Sequence, residues 1–82
     1  MNENQLRGMV LDNLRLITPD AVMDELKPDD NLREVLDLDS FDHLNFLIGL
    51  NQKLGVDIPE KDYGKLNTVK EIVDYLMERI VV

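Results

Sequence analysis

One hydroxyl stands in mid-chain with acids on both sides: Asp37-Leu38-Asp39-Ser40-Phe41-Asp42, followed by His43. An apolar-rich stretch runs from there to Leu54-Gly55. Asp39 or Ser40 can supply the side-chain oxygen that caps the first free N–H groups of a helix. Ser40 can instead carry a covalent group. A helix start offers unpaired N–H groups and the positive end of the dipole, so a phosphate attached there is favourably placed. Ser40, Asp42 and His43 also sit near enough for a weak hydrolytic arrangement, but G-x-S-x-G is absent and His43 is expected on an exposed helix position. A calcium loop starting at Asp37 would need an oxygen ligand at Phe41, glycine at Asp42 and Glu at Ile48, and all three fail. One His and no Cys leave zinc without its usual ligands. No metal site and no catalytic set is expected.

The elements that must position Ser40 follow from periodicity. Leu6, Met9, Val10, Leu14 and Ile17 recur at three- and four-residue steps, predicting a helix from about Asn4 to Ile17, with Asn13 at the margin of its apolar face. Thr18-Pro19 ends it. Residues 20–26 have the pattern of one or two helical turns, with Thr18 as cap and Pro19 at the first position. Lys27-Pro28-Asp29-Asp30 is a turn. Leu32 and Leu36 are the residues expected to fold the long loop back onto the core, and regular apolar content argues against disorder there.

The second helix is predicted from Phe41 to Leu54, with Gly55 as its left-handed stop. Leu47, Leu50 and Leu54, flanked by Phe46, form its core stripe. Phe41, Leu44 and Ile48 form a second apolar stripe, which makes the apolar arc wider than a core needs: either the helix is more buried than usual, with all three in the core, or it presents apolar surface to a partner. Gly49 leaves room for another helix or a ligand to approach closely. Glu60 to Leu66 is a short third helix or irregular turn, with Tyr63 and Leu66 inward. Thr68-Val69-Lys70-Glu71 fits a capping box. The last helix runs to about Arg79 and buries Val69, Ile72, Val73, Leu76 and Ile80, with Tyr75 at the border. No segment alternates like a strand. The expected fold is all-α: a small four-helix bundle of three main helices and a short one, with a long first loop, as a single domain over residues 1–82.

Asp39-Ser40-Phe41-Asp42 resembles the D-S-L-D signature of acyl carrier proteins. Leu54-Gly55-Val56-Asp57-Ile58-Pro59-Glu60 resembles that family's loop after its second helix, and Thr68-Val69 through Asp74-Tyr75-Leu76 resembles its last helix. The resemblance spans roughly residues 30–78. It implies a carrier rather than an enzyme. A phosphopantetheinyl transferase would attach 4′-phosphopantetheine to Ser40, with Asp39 contributing to transferase recognition and to magnesium binding in that enzyme's site. Acyl groups would ride on the arm as thioesters to partner enzymes of fatty-acid, lipid or secondary-metabolite synthesis. Phe41, Asp42, Leu44 and Ile48 would be partner-binding. Leu47, Leu50, Ile58, Leu66, Ile72 and Tyr75 would part around an acyl chain. The chain departs from the family in having Asp37 where glycine is common, Phe41 where leucine is usual, and Asn45, Asn51 and Gln52, with Lys53 beside them, where several Glu residues usually stand. These departures point to a specialised carrier. Ser-Phe also occurs in D-alanyl carrier proteins, so an aminoacyl cargo is one alternative. An unmodified helical interaction module, with Ser40 only as a cap, is the other.

Composition sets the outer limits. Eighty-two residues without cysteine make one small domain whose thiol chemistry must come from outside the chain. The net charge of −8 argues against nucleic acid. It favours basic partner surfaces, reached by electrostatic steering; the resemblance implies that these belong to acyl-transferring or acyl-activating enzymes. The acidity is local: residues 18–39 hold eight acids against Lys27 and Arg33, a net −6. The first residues lack a signal-peptide pattern and no apolar run approaches membrane-spanning length, so a cytoplasmic monomer without membrane insertion is expected.

Overall fold

The computed structural model describes residues 2–20 and 25–80. Three main helices, α1 (Glu3–Ile17), α3 (Ser40–Leu54) and α4 (Val69–Arg79), are joined by a long connection holding a one-turn helix, α2 (Leu32–Val35), and by a second holding a 3-10 helix (Glu60–Lys65). There is no strand among the described residues. The helical turns expected around residues 20–26 fall largely on residues 21–24, outside the described residues.

Helix α1 packs against both α3 and α4. Leu6, Val10 and Leu14 of α1 meet Phe46, Leu47 and Leu50 of α3 and Ile72, Val73 and Leu76 of α4 in one apolar cluster. The expected core stripes therefore hold, with Met9, Ile17, Leu54 and Ile80 only half-buried at the edges. Asn13 departs from expectation: it lies inside the core, 3% exposed. Its Nδ2 donates to the Phe46 carbonyl at 3.1 Å, which satisfies a polar group that would otherwise be costly to bury. Gly49 makes room for it. A Cβ there would stand 2.8 Å from Asn13 Nδ2, so the missing side chain admits α1 rather than a ligand.

The helix ends follow from capping chemistry. Asn2 and Gln5 form a reciprocal box at the start of α1. Thr68 accepts from Glu71 N–H at the start of α4. The return contact differs from a closed box, because Glu71 Oε1 accepts from Asn67 N–H instead of Thr68 N–H. Gly55 ends α3 at φ 66°, as the sequence predicts.

The long connection is pinned rather than loose. Leu32 N–H donates to the Asn67 carbonyl at 2.8 Å, and Lys70 N–H donates to the Pro28 carbonyl at 2.9 Å. Leu32 is fully buried and Leu36 half-buried, as expected; Leu38 is buried as well. The chain turns out of α2 in a Schellman arrangement. Leu38 N–H reaches back to the Arg33 carbonyl at 3.0 Å while Asp37 takes φ 53°. Asp37 is thus a non-glycine residue in the left-handed region, at a place where glycine is the natural occupant. Asp37→Gly is expected to raise stability by about 0.5–1 kcal/mol, the relief of the Cβ clash exceeding the extra freedom glycine gives the unfolded chain. The check is a higher denaturant midpoint at unchanged slope.

Candidate functional site

The site is assembled where the Schellman turn delivers the chain to the first turn of α3. Asp39, not Ser40, is the N-cap: its Oδ1 accepts from Asp42 N–H at 2.8 Å, and its carbonyl accepts from His43 N–H at 3.1 Å. Ser40 is the first residue of the helix proper and is exposed. Its Oγ makes no capping bond. It accepts instead from Arg33 Nη2 at 3.1 Å, across the turn from α2. A cap-only role for Ser40 is therefore replaced by a hydroxyl at the surface whose contact comes from another element.

His43 overturns an expectation. It is buried, 7% exposed, not solvated. The reason is spacing: His43 lies four residues before Leu47 on the stripe that continues to Leu50, so the helix turns it inward. Its ring tilts against Phe46 at 6.4 Å between centroids. Neither ring nitrogen has a hydrogen-bond partner of good geometry. Burial holds its pKa below the ordinary 6.5, the Arg33 charge adds to the depression, and the carbonyls of Leu66 and Tyr63 oppose it without prevailing. The unfolded chain thus binds a proton near pH 6.5 that the folded chain refuses. The stability this contributes is present above that pH and lost as pH falls toward the folded value. The unfolding midpoint is expected to drop between pH 7 and pH 5, and His43→Leu is expected to flatten that drop; a pH series of urea melts on both chains checks it.

The exposed stripe of α3 is present. Phe41 is 68% and Ile48 39% exposed, with Leu44 and Asp42 half-buried beside them. Leu47, Leu50, Ile58, Leu66 and Ile72 are all buried in the packed core. Tyr75 is half-buried at its edge. Its hydroxyl donates to Asp62 Oδ2 at 2.6 Å, and the Arg79 guanidinium lies 3.5 Å from its ring centroid. Burial and the bond to Asp62 push the Tyr75 phenol up to about 12. The same bond holds the Asp62 carboxyl below its ordinary value, with Lys65, Lys61 and Arg79 adding to the effect. Asp62 is a buried acid that sequence reasoning missed. No local pattern marks it, since its partner stands thirteen residues away.

Beside Ser40 opens a cleft of about 210 Å³, lined by Arg33, Ser40, His43, Leu44, Tyr63, Gly64 and Asn67. An exposed serine at a helix start, a guanidinium on its oxygen and an orphaned buried imidazole at its side together fit a tethered phosphate with polar groups beyond it. No group of three His, Cys, Asp or Glu among the described residues is arranged to hold a metal ion.

Helices α1, α3 and α4, with a lone serine at the head of α3, define a class of small helical carrier domains. The family model for the phosphopantetheine attachment site matches residues 4–76. An acyl carrier protein of Rubrobacter xylanophilus is 33% identical over 75 residues, covering 88% of this chain and 93% of that one. One from Thermosynechococcus vestitus is 27% identical over 98% of both chains, and one from Streptomyces coelicolor is 27% identical over 96% of this chain and 86% of its own. The chain belongs to the acyl carrier protein family, whose members carry acyl groups on phosphopantetheine and do not catalyse. Membership brings modification by a phosphopantetheinyl transferase and interaction with acyl-handling enzymes. No helix among the described residues is long and apolar enough to cross a membrane.

Proposed function

We propose that Ser40 Oγ is the attachment point of 4′-phosphopantetheine and that this chain is a specialised acyl carrier, its 82 residues acting as one cytoplasmic domain. The division of labour at the head of α3 carries the reading: Asp39 caps the helix and leaves the Ser40 hydroxyl exposed and uncommitted to it. In the transferase reaction Ser40 Oγ forms a bond to the phosphorus next to pantetheine. The P–O bond to the adenosine half of coenzyme A breaks, and the hydroxyl proton passes to a base of the transferase. The bound group supplies a terminal thiol that holds an acyl chain as an activated thioester.

The chain's own residues supply address and shelter. Phe41, Leu44 and Ile48 form the apolar contact for partner enzymes, with Asp42 at its head. Asn45, Asn51 and Gln52 make the neighbouring positions of α3 uncharged, while the net −6 of residues 18–39 meets basic surfaces at the approach to Ser40. Partners are thus dedicated enzymes that pair an apolar groove for α3 with basic residues near the serine. Leu47, Leu50, Ile58, Leu66, Ile72 and Tyr75 part to admit an acyl chain. Tethering raises the effective concentration of the cargo at each docked enzyme.

The test is loading. The phosphopantetheinylated chain is offered fatty acids or D-alanine with ATP and the matching adenylating enzymes. A mass gain of one acyl group, removed by hydroxylamine, sustains the acyl carrier. A gain with D-alanine alone would make it an aminoacyl carrier; no gain with any acid would count against an acyl cargo, and a chain that no transferase modifies would favour the interaction module.

A further inference from the structure

We propose that Arg33 and His43 are the arm-binding residues of this chain: the Arg33 guanidinium holds the phosphodiester on Ser40, and the His43 imidazole meets the first polar groups of the arm in the cleft between the head of α3 and the 3-10 helix. The inference rests on Ser40 being the attachment point and concerns where the arm then lies.

A phosphodiester on Ser40 adds negative charge between Asp39 and Asp42, at the end of the most acidic segment of the chain, residues 18–39. Asp39 already occupies the Asp42 N–H, so the helix start offers only part of its usual anion site. Arg33 is the cation in contact: its Nη2 lies 3.1 Å from Ser40 Oγ. Among the described residues it has no carboxylate within 4.0 Å. A guanidinium presents several donors in a fixed fork, so it can hold a phosphate oxygen while remaining near the bridging oxygen.

The second observation is independent of the first. His43 is more than nine-tenths buried, and Nδ1 and Nε2 both lack a partner of good geometry, the Leu66 and Tyr63 carbonyls being the backbone acceptors near the ring, yet the residue lines the same cleft as Ser40. Leaving a buried polar group unpaired costs about 1–3 kcal/mol, so an imidazole here is understood if something fills its hydrogen-bonding capacity in the working state. The arm's hydroxyl and amide groups are of that chemistry, able to donate and to accept. At about 210 Å³ the cleft is below the range of about 300–1,000 Å³ typical of whole-ligand pockets. The cleft therefore seats only the near end of the arm, and the thiol and cargo lie beyond it.

The experiment compares the unmodified and the phosphopantetheinylated full chain by phosphorus and nitrogen NMR, with intact mass confirming modification. The expected result is a shift of the His43 ring-nitrogen resonances on modification. Arg33→Gln, an exposed substitution that leaves the fold intact, is expected to move the phosphorus resonance toward that of a free phosphodiester and to abolish the His43 shift. Unchanged His43 resonances in a chain that mass shows to be fully modified would overturn the proposal. Absence of any mass gain would overturn it through the attachment reading itself, a failure visible before any NMR spectrum is taken.

Discussion

Phe46→Ala is expected to leave the chain largely unfolded at room temperature. Phe46 is fully buried in the apolar cluster of α1, α3 and α4, and its truncation removes both transfer energy and the contacts that line the resulting hole. Such changes cost about 3–5 kcal/mol. A core of this size supplies a net stability of about 3–5 kcal/mol, so the substitution consumes most or all of it. Phe41→Ala provides the internal comparison. It deletes the same side chain from the same helix, but at a position 68% exposed, and should change stability by less than about 0.5 kcal/mol. Circular dichroism with urea melts distinguishes the two directly. Equal losses for both would mean that α3 does not face the core as described. Because Phe41 is assigned to partner contact, its truncation should weaken docking while the fold persists.

Asp39→Asn is expected to slow modification by about 10- to 100-fold at nearly unchanged stability, the range given by loss of one charge-assisted contact of about 1.5–3 kcal/mol. Asn caps helices about as well as Asp, so the bond to Asp42 N–H survives and α3 still begins at Ser40. What is lost is the charge beside the serine, assigned to transferase and magnesium recognition. Asp39→Ala makes the complementary case: it removes cap and charge together and should cost about 1 kcal/mol of stability as well. Initial rates of mass gain, read beside melting curves, separate the two effects. An unaltered rate for Asp39→Asn in a folded chain would restrict Asp39 to capping.

Much of this molecule is legible in its sequence because its devices are local. The stripes of α1, α3 and α4 repeat at helical spacing, Gly55 and Thr68 mark an end and a start, and Asp39-Ser40-Phe41-Asp42 is a contiguous signal. What escaped depends on pairings that spacing does not encode. Asn13 is buried because Gly49 lets α1 close on α3 and the Phe46 carbonyl accepts its amide. Asp62 is buried because Tyr75 and Arg79 converge on it from α4. Arg33 reaches Ser40 only because the left-handed Asp37 reverses the chain between them. His43 was the recoverable miss: its four-residue offset from Leu47 places it on the core stripe, and its polarity argued the other way. The departure at Asp37 gains a meaning from the fold, since the family's usual glycine suits the conformation this residue adopts.

The central claim is tested most directly by incubating the chain with coenzyme A, magnesium and a phosphopantetheinyl transferase, then fragmenting it in the mass spectrometer beside a Ser40→Ala control. One phosphopantetheinyl group is expected, localised to Ser40 by the fragment masses, and none on the control. A group found on another residue, or a folded chain that stays unmodified with broad-specificity and native transferases alike, would contradict it.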